Sequence, residues 1–271
     1  MHRLRCSWVL SLWLVIGSAV QAAEPPLRVC LNDVPHPPWR MASPDGRIQR
    51  QGLDFLFLDR LAQRSGLAIE ISLLPWKRCL ADLKSGAQDA VLSLSYLAER
   101  EEFVVYPTRK GEPDTSMALR HNRYHWYAAR PLSLRWDGEK LRGLPAGAVV
   151  GVQTGYSIGT VVRDLGFTVD EAARTTTANL EKLARGRVQV VALQAKEADE
   201  VLRHRPDLGR RIQRVEPVLQ ERAYYTAFTR SYWSQNPQRV LGLWRDVAAI
   251  RDSAEYRQAE AKALAQTPAA P

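Results

Sequence analysis

The sequence is poor in cysteine and, after its first segment, in long hydrophobic runs. It has three cysteines among 271 residues, too few for a fold held together mainly by disulfides. Beyond residue 17, no apolar stretch approaches the roughly 17–25 residues that a membrane-spanning helix needs. With 45% hydrophobic and 25% charged residues, the composition is that of a globular protein and excludes a disordered, collagen-like or coiled-coil chain.

Lysine is also scarce, because the chain has 7 lysines against 31 arginines, with a formal net charge of +9. A chain this basic raises the question of nucleic-acid binding. The arginines, however, are spread from Arg28 to Arg257, and the one basic block, 203–214, is interrupted by Pro206 and Asp207. Dispersed charge of this type is typical of a solvated surface, so we expect no nucleic-acid partner.

The first 22 residues have the pattern of a secretory signal peptide. Arg3 and Arg5 precede an apolar run over residues 7–17, and Val20-Gln-Ala22 offers small residues at the cleavage position. The apolar run is shorter than a membrane anchor requires. We expect cleavage near Ala22, which leaves a mature chain outside the cytoplasm, with no membrane span and a formal charge of +7.

Cleavage would also remove Cys6 and leave Cys30 and Cys79 as the cysteines of the mature chain. In an oxidising compartment an isolated pair forms a disulfide more often than it remains as two free thiols. The sequence does not reveal whether the two Cα atoms come within bridging distance, so a disulfide and two buried thiols both stay open. No His or Cys lies at ligand spacing from either residue, so we expect no metal site.

Short apolar runs alternate with helical stretches in two similar parts of the chain. The first part predicts strands and helices in the order Leu27–Leu31, Asp54–Ser65, Ala68–Leu74, Trp76–Ser85 and Ala90–Leu94. The second part predicts Val149–Val152, a helix beginning near Ser157, Phe167–Val169, Thr177–Arg185 and Val188–Leu193. Such spacing is typical of βαβ units around a largely parallel sheet. The sequence therefore predicts an α/β fold, whose two parts are joined by an extended aromatic segment, 116–129.

A series of short motifs runs along the whole mature chain. They are Leu27-Arg-Val-Cys30, Pro38-Trp39, Asp45-Gly46, Gly52-Leu-Asp54, Leu83-Lys-Ser-Gly-Ala-Gln-Asp89, Ser93-Leu-Ser95 with Glu99-Arg100, Gly151-Val-Gln-Thr-Gly-Tyr-Ser157 and Ser253-Ala-Glu-Tyr256. In order and spacing they resemble the bacterial periplasmic solute-binding proteins of family 3, the polar amino-acid type. Cyclohexadienyl dehydratase shares the fold of that family.

The resemblance implies a type II periplasmic-binding-protein fold with two lobes, two hinge crossovers and a ligand cleft between the lobes. Lobe 1 would comprise residues 23–119 and 219–271, and lobe 2 residues 120–218, after a signal peptide over 1–22. The second crossover would lie near Val215–Gln220. Closure of such a cleft occurs by hinge bending.

The resemblance also implies a set of ligand-binding residues: Ser93, Ser95, Arg100, Gly155, Tyr156, Ser157, Gln194, Trp76, Trp39 and His36. Arg100 matches the family arginine that binds the ligand carboxylate, for which a guanidinium fork is suited. The alternative is a surface arginine paired with Glu99 or Glu101. Ser93 and Ser95 alternate with two leucines, so we expect their hydroxyls on one face of the strand.

The remaining candidates each have a structural alternative. Gly155 to Ser157 would bind the same carboxylate through free N–H groups, or Ser157 would simply cap a helix. Trp76 and Trp39 would pack on the ligand or in the core, and His36 would contact the ligand or be structural. Arg78 would contact an anion or pair with Asp82.

One position departs from the family. Where the amino-acid binders have an aspartate for the ligand ammonium group, this chain has Gln194. The segment 183–191 is the second-lobe counterpart of 83–91, and the aspartate of that repeat is replaced by Gln189. A neutral amide gives no charge pairing to a buried ammonium. An ordinary α-amino acid is therefore a less secure ligand than a carboxylate, a keto acid or another small polar anion.

Together these features predict a periplasmic binding protein, monomeric and without a cofactor, that captures a small carboxylate-bearing solute for an ABC-type transporter with an inner-membrane permease. Two alternatives remain open: a sensor or accessory binding protein that does not serve transport, and an enzyme similar to cyclohexadienyl dehydratase. Because the sequence shows no recognisable acid–base pair, we expect no catalytic residues.

Overall fold

The computed structural model describes residues 24–131 and 134–266. The predicted signal peptide with Cys6, and the final residues 267–271, lie outside them. The strands of the described part are β1 (Leu27–Asn32), β2 (Ile69–Leu74), β3 (Ala90–Ser95), β4 (Val104–Val105), β5 (Thr108–Arg109), β6 (Glu112–Pro113), β7 (Arg120–Ala129), β8 (Arg135–Trp136), β9 (Leu141–Arg142), β10 (Val149–Gln153), β11 (Thr168–Ala173), β12 (Val190–Gln194) and β13 (Ile212–Thr229).

The helices of the described part follow the strands as the βαβ spacing predicts in each half. They are α1 (Leu53–Ser65), α2 (Trp76–Ser85), α3 (Ile158–Asp164), α4 (Thr176–Ala184), α5 (Ala195–His204), α6 (Pro206–Gly209), α7 (Arg230–Gln235), α8 (Pro237–Asp252) and α9 (Ala254–Gln266), with short 3-10 helices over Ala98–Glu102 and Thr115–Met117. None of these helices is long and apolar enough to cross a membrane.

Nine strands form one continuous sheet, in the order β11-β10-β12-β7-β13-β3-β1-β2 with β4 beside β13. At one end, β1 pairs in parallel with β2 and β3, and at the other, β10 pairs in parallel with β11 and β12. These are the two βαβ parts that the sequence predicts. The antiparallel strands β7 and β13 lie between them and connect them.

The ladder between β7 and β13 is interrupted where β13 passes from one part to the other. Its register shifts between Val215 and Gln220, and Pro217 lies in that interval. Proline has no N–H for the ladder, so it is expected at an interruption of this kind. The prediction for 116–129 was too long at its start, because a 3-10 helix occupies Thr115–Met117 and β7 begins at Arg120.

The buried apolar residues form two pairs of clusters. One pair draws on residues 27–119 and 225–256 and includes Phe57, Leu61 and Trp244, which we refer to as the first half. The other pair draws on residues 124–224 and includes Trp126 and Leu180, which we refer to as the second half. Each half thus has its own hydrophobic core, and β13 contributes to both. The assignment of lobe boundaries at 119/120 and 218/219 stays a prediction.

Cys30 on β1 and Cys79 on α2 form a disulfide, with their Cα atoms 5.9 Å apart. Both cysteines are fully buried. The bond ties the first strand of the sheet to the helix that packs on it, and its closed loop spans 49 residues of sequence.

Candidate functional site

A small cavity lies where the two halves meet, at the carboxyl ends of β1, β3 and β12. Asn32, Ser95 and Gln194 are the last residues of those strands, and all three line the cavity. In α/β sheets this edge is the usual place for a ligand. The other lining residues are His36, Arg40, Trp76, Leu92, Ser93, Arg100, Arg120, Asn122, Tyr156, Ser157 and Tyr224. About 40 Å³ is open to water-sized molecules, enough for about three or four waters.

Eight of the ten predicted ligand-binding residues line this cavity: His36, Trp76, Ser93, Ser95, Arg100, Tyr156, Ser157 and Gln194. Trp39 instead lies in the hydrophobic core of the first half, 4% exposed, and borders a larger adjoining space. Gly155 does not line the cavity either, but its carbonyl oxygen accepts hydrogen bonds from two lining side chains, Trp76 and Arg100. Contact of these residues with a ligand stays a prediction.

Arg100 is buried at the cavity and bridges the two halves. Its Nη1 donates to the carbonyl oxygen of Ser95 at 2.8 Å and to its hydroxyl at 3.1 Å, and its Nη2 donates to the Gly155 carbonyl at 3.2 Å. Arg100 is 5% exposed. Among the described residues it forms no ion pair, so the alternative of pairing with Glu99 or Glu101 is wrong. A buried guanidinium without a carboxylate is unusual, since buried charges are normally paired.

The two serines of β3, Ser93 and Ser95, line the cavity in different ways. Ser95 hydrogen-bonds the hydroxyl of Ser157 at 2.7 Å, from the first half to the second. Ser157 makes no capping bond to α3, so the capping alternative is wrong. Ser93 has a left-handed backbone, with φ of 68°. Side chains therefore do not alternate strictly between the two faces of β3. Val91 and Leu94 are three positions apart and still pack in the same hydrophobic cluster.

The turn that precedes α3 places a carbonyl oxygen against the first half. Gly155 has φ of +72°, and a Cβ there would lie 3.2 Å from Trp76 Cδ1. The conformation and the close approach both favour glycine. Trp76 Nε1 donates to the Gly155 oxygen at 3.1 Å, and the hydroxyl of Tyr156 accepts from Asn32 Nδ2 at 3.4 Å.

Arg78 pairs with Asp82 at 2.6 Å, and both residues lie on α2. Of the two alternatives for Arg78, an anion contact and an ion pair with Asp82, the structure has the ion pair.

Gln194 is held by a hydrogen-bond network at the crossing strands. Its Nε2 donates to the hydroxyls of Tyr124 at 3.1 Å and Tyr224 at 3.0 Å, and its Oε1 accepts from Asn122 Nδ2 at 3.1 Å. The two tyrosine hydroxyls are 2.6 Å apart. Both amide donors of Gln194 are therefore used within the protein, and one lone pair of its oxygen remains.

Two further arginines line the cavity, and sequence reasoning missed both. Arg40 Nη1 lies 2.5 Å from Asp54 Oδ2, and Arg120 Nη2 pairs with the other carboxylate oxygen of Asp54. Asp54 is completely buried. Its burial opposes ionisation, but the charges of Arg120 and Arg40 outweigh this and lower the pKa of the carboxyl. The carboxylate thus positions both guanidinium groups at the wall of the cavity.

Two other basic side chains, His36 and Lys196, lie near these arginines. Burial, followed by the charges of Arg40 and Arg120, lowers the pKa of His36 to about 3, so its imidazole is neutral at pH 7. The guanidinium of Arg120 and the ammonium of Lys196 lie 5.3 Å and 5.6 Å from the ring of Trp39, within the range of cation–π attraction. The ring of Trp39 therefore stabilises the charges of Arg120 and Lys196.

A carboxyl group of the second half, Glu197 on α5, faces the same region without lining the cavity. Burial raises the pKa of Glu197 to about 7, against the opposing influence of Thr176 and of the Arg40 charge. Its Oε2 has no hydrogen-bond partner among the described residues, and neither has the hydroxyl of Thr176. The carboxyl of Glu197 is thus partly buried, with a pKa close to neutral pH.

No protein-family model matches the chain, and no curated protein is similar to it in sequence. Solved structures do match. An amino-acid ABC transporter substrate-binding protein from Streptococcus pneumoniae, bound to L-arginine, is 17% identical with a TM-score of 0.67, over 89% of this chain and 94% of that chain. The chain has the type II periplasmic-binding-protein fold. This confirms the predicted fold class and the predicted structural likeness to amino-acid ABC transporter binding proteins.

Two other structures show how widely this fold is used. A histidine kinase sensor domain with similarity to periplasmic binding proteins is 16% identical, with a TM-score of 0.66 over 90% of this chain and 98% of that chain. An ancestral amino acid-binding protein, a precursor of cyclohexadienyl dehydratase, is 15% identical, with a TM-score of 0.65 over 88% and 95%.

The missed cavity residues are Asn32, Arg40, Leu92, Arg120, Asn122 and Tyr224. One signal could have found the two arginines. Asp54 follows Gly52-Leu53 at the start of an amphipathic helix, on its apolar side, and a buried aspartate needs cationic partners. Nothing in the sequence says which of 31 arginines those partners are.

Proposed function

We propose that this protein is a periplasmic binding protein that captures a small carboxylate-bearing solute and delivers it to an ABC-type transporter in the inner membrane. The observation that carries the proposal is Arg100, a buried guanidinium without a carboxylate partner that contacts the Ser95 hydroxyl of the first half and the Gly155 carbonyl of the second. Charge-assisted hydrogen bonds from such a group are strong, and a bidentate carboxylate matches its geometry.

The charge of the cavity argues against an ordinary α-amino acid. Among its lining residues there is no Asp or Glu, and the position of the family's aspartate is held by Gln194, whose amide donors are engaged by tyrosines. A ligand ammonium group would therefore be buried without charge pairing. A carboxylate, a keto acid or a related organic anion fits the cavity better.

Capture would occur by closure of two lobes, residues 23–119 with 219–271 and residues 120–218, around hinges in β7 and β13. The direct contacts between the halves, Ser95 to Ser157 and Arg100 to Gly155, are those that a closed cleft requires. We propose that the protein acts as a monomer in the periplasm after cleavage of its signal peptide near Ala22.

A second candidate is a sensor or accessory binding protein without a transport role, because the sensor domain of a histidine kinase has the same fold. The two candidates share the ligand site and differ in the partner. Genes for a permease and an ATPase beside this one would support transport, and their absence with a neighbouring kinase would support sensing.

We propose further that the protein is not an enzyme. The fold is that of binding proteins, although a dehydratase precursor shares it. General acid–base catalysis needs a group whose pKa lies near the working pH and that reaches the ligand. His36 lines the cavity, but its pKa is about 3, and Glu197 does not line it. Turnover of prephenate or arogenate by the purified protein would contradict this.

Calorimetric titration with acetate, pyruvate, L-alanine, malonate, succinate and glutarate tests the proposal. The variant Arg100→Gln should weaken binding of every carboxylate by about 10- to 150-fold, from the loss of a charged hydrogen-bond donor. Arg245→Gln, which removes an exposed arginine on α8, is the matched control and should bind as the wild type does. Tight binding that survives Arg100→Gln would overturn the proposal, as would binding of no carboxylate at all.

A further inference from the structure

The cavity has more positive charge than a single carboxylate needs. Arg40, Arg100 and Arg120 all line it, and all are buried or nearly so, with side chains of Arg40 and Arg120 only 7% and 11% exposed. Asp54 balances one of the three charges. The excess is two positive charges, and an unpaired buried charge is costly.

The hydrogen bonds of Arg40 and Arg120 leave donors available at the cavity. Asp54 takes one nitrogen from each, Nη1 of Arg40 and Nη2 of Arg120, and Arg40 Nε donates to the Val34 carbonyl. Within the described residues, Arg40 Nη2 and Arg120 Nε and Nη1 have no acceptor. An arginine that is fixed by one carboxylate and still has free N–H groups is preorganised for an anion.

The two positive groups have separate supports in the first half. Arg100 follows β3 on a 3-10 helix and is held by the Ser95 carbonyl. Arg40 and Arg120 are held on buried Asp54 at the start of α1. The cavity lining therefore contains two cationic groups with separate supports, Arg100 and the Arg40–Arg120 pair.

We propose that the ligand carries two carboxylates, one bound by Arg100 and the other by the Arg40–Arg120 pair. This rests on the proposed function and narrows its ligand class to small dicarboxylates. The cavity has room for about three or four waters, each of about 30 Å³ in the liquid, and this room matches a dicarboxylate with a backbone of about three to five carbons.

Matched ligand pairs test the second carboxylate. The probes are malonate, succinate and glutarate, each compared with its monoamide, which has the same length and one charge fewer. We expect at least one diacid to bind wild-type protein about 10- to 100-fold more tightly than its monoamide, by calorimetry at pH 7.5. A monoamide that binds as well as its diacid would overturn the inference and leave the proposed function intact.

A triple variant then assigns the second subsite. Arg40→Gln together with Arg120→Gln would leave Asp54 buried without a partner, so both are combined with Asp54→Asn, and unchanged monoamide binding serves as the check on folding. In this triple variant the subsite carries no charge, so the diacid should bind no more tightly than its monoamide. Arg100→Gln should instead weaken diacid and monoamide together, and Arg245→Gln should change neither.

The outcomes separate the two proposals. A triple variant that binds the monoamide normally and still prefers the diacid would refute the Arg40–Arg120 subsite. Binding of monocarboxylates alone, dependent on Arg100, would also refute it and would preserve the proposed function. If none of the diacids, monoamides or monocarboxylates binds, both proposals fail.

Discussion

Ser93 is the residue at which the backbone of β3 departs from strand geometry. Its φ of 68° lies in the left-handed region, where a residue other than glycine, asparagine or aspartate is uncommon. Such a conformation costs about 1–3 kcal/mol and is found most often at functional sites. Here the two consecutive residues Leu92 and Ser93 both line the cavity. In a regular strand, consecutive side chains would point to opposite faces.

The Ser93→Gly variant should therefore be more stable than the wild type, by about 1 kcal/mol in urea unfolding, because glycine adopts this conformation without a steric penalty. Ser93→Ala is the matched control, since it removes the same hydroxyl and retains the Cβ that causes the strain. Equal stabilities of the two variants would contradict the argument.

Glu197 makes stability depend on pH in a way opposite to most carboxylates. Its pKa in the folded protein is about 7, against an ordinary value of 4.5, so between these values the folded state binds more protons than the unfolded state. Stability contributed by this group therefore falls as pH rises from about 4.5 to about 7. The full effect is at most about 3 kcal/mol.

The Glu197→Gln variant should lose this dependence. The measurement is the free energy of unfolding at pH 5 and pH 8, where the variant should gain stability relative to wild type at the higher pH. Glu139→Gln, at an exposed site, is the control, and its free energy of unfolding should change with pH as that of the wild type does. The same change with pH in Glu197→Gln would show that the Glu197 carboxyl does not titrate in this range.

At the scale of elements, sequence periodicity predicted the interior of the fold well and its edges less well. Helix α2 lies where predicted, Trp76–Ser85, and α1 ends before Gly66 in a left-handed cap. The strand predicted over Phe167–Val169 is instead β11, Thr168–Ala173. Because β11 is an edge strand, it is held by hydrogen bonds to β10 alone and can continue through polar Asp170 and Glu171, which an apolar pattern does not predict.

The disulfide joins two elements of the first half, and its loss should destabilise that half. Closing a loop of 49 residues corresponds to about 4 kcal/mol in the chain-entropy account, and measured losses are typically about 2–5 kcal/mol. Denaturant unfolding with and without reductant measures this. The Cys30→Ala and Cys79→Ala double variant should be insensitive to reductant. An unchanged midpoint of the wild type in reductant, with reduction verified by thiol titration, would be the contrary result.

At the scale of the whole molecule, the two halves are also joined at the rim of the cleft. Arg174 after β11 pairs with Asp33 after β1, and both are partly exposed. If the protein closes around its ligand, this pair forms only in the closed state and contributes to affinity. An exposed pair is worth about 0.2–1 kcal/mol.

The Asp33→Asn variant should therefore weaken ligand binding by no more than about fivefold, with the effect reduced at high salt. Glu171→Gln breaks the pair of Arg163 with Glu171, which lies within the second half, and should leave affinity unchanged. Equal effects of the two substitutions would argue against closure. Small-angle scattering with and without ligand gives an independent measure of it.

The sequence by itself determined the α/β class, the two βαβ parts and most element positions, because periodicity and local turn chemistry are properties of neighbouring residues. Eight of the ten ligand-binding residues implied by the family resemblance line the cavity. Only the tertiary structure decided the rest. It joined Cys30 to Cys79, moved Trp39 into the core, engaged Gln194 with two tyrosines, and brought Arg40 and Arg120 onto one buried aspartate. Those outcomes depend on which residues distant in sequence come into contact in the fold. The contacts between buried polar groups matter most, because an unpaired polar group inside a protein is costly.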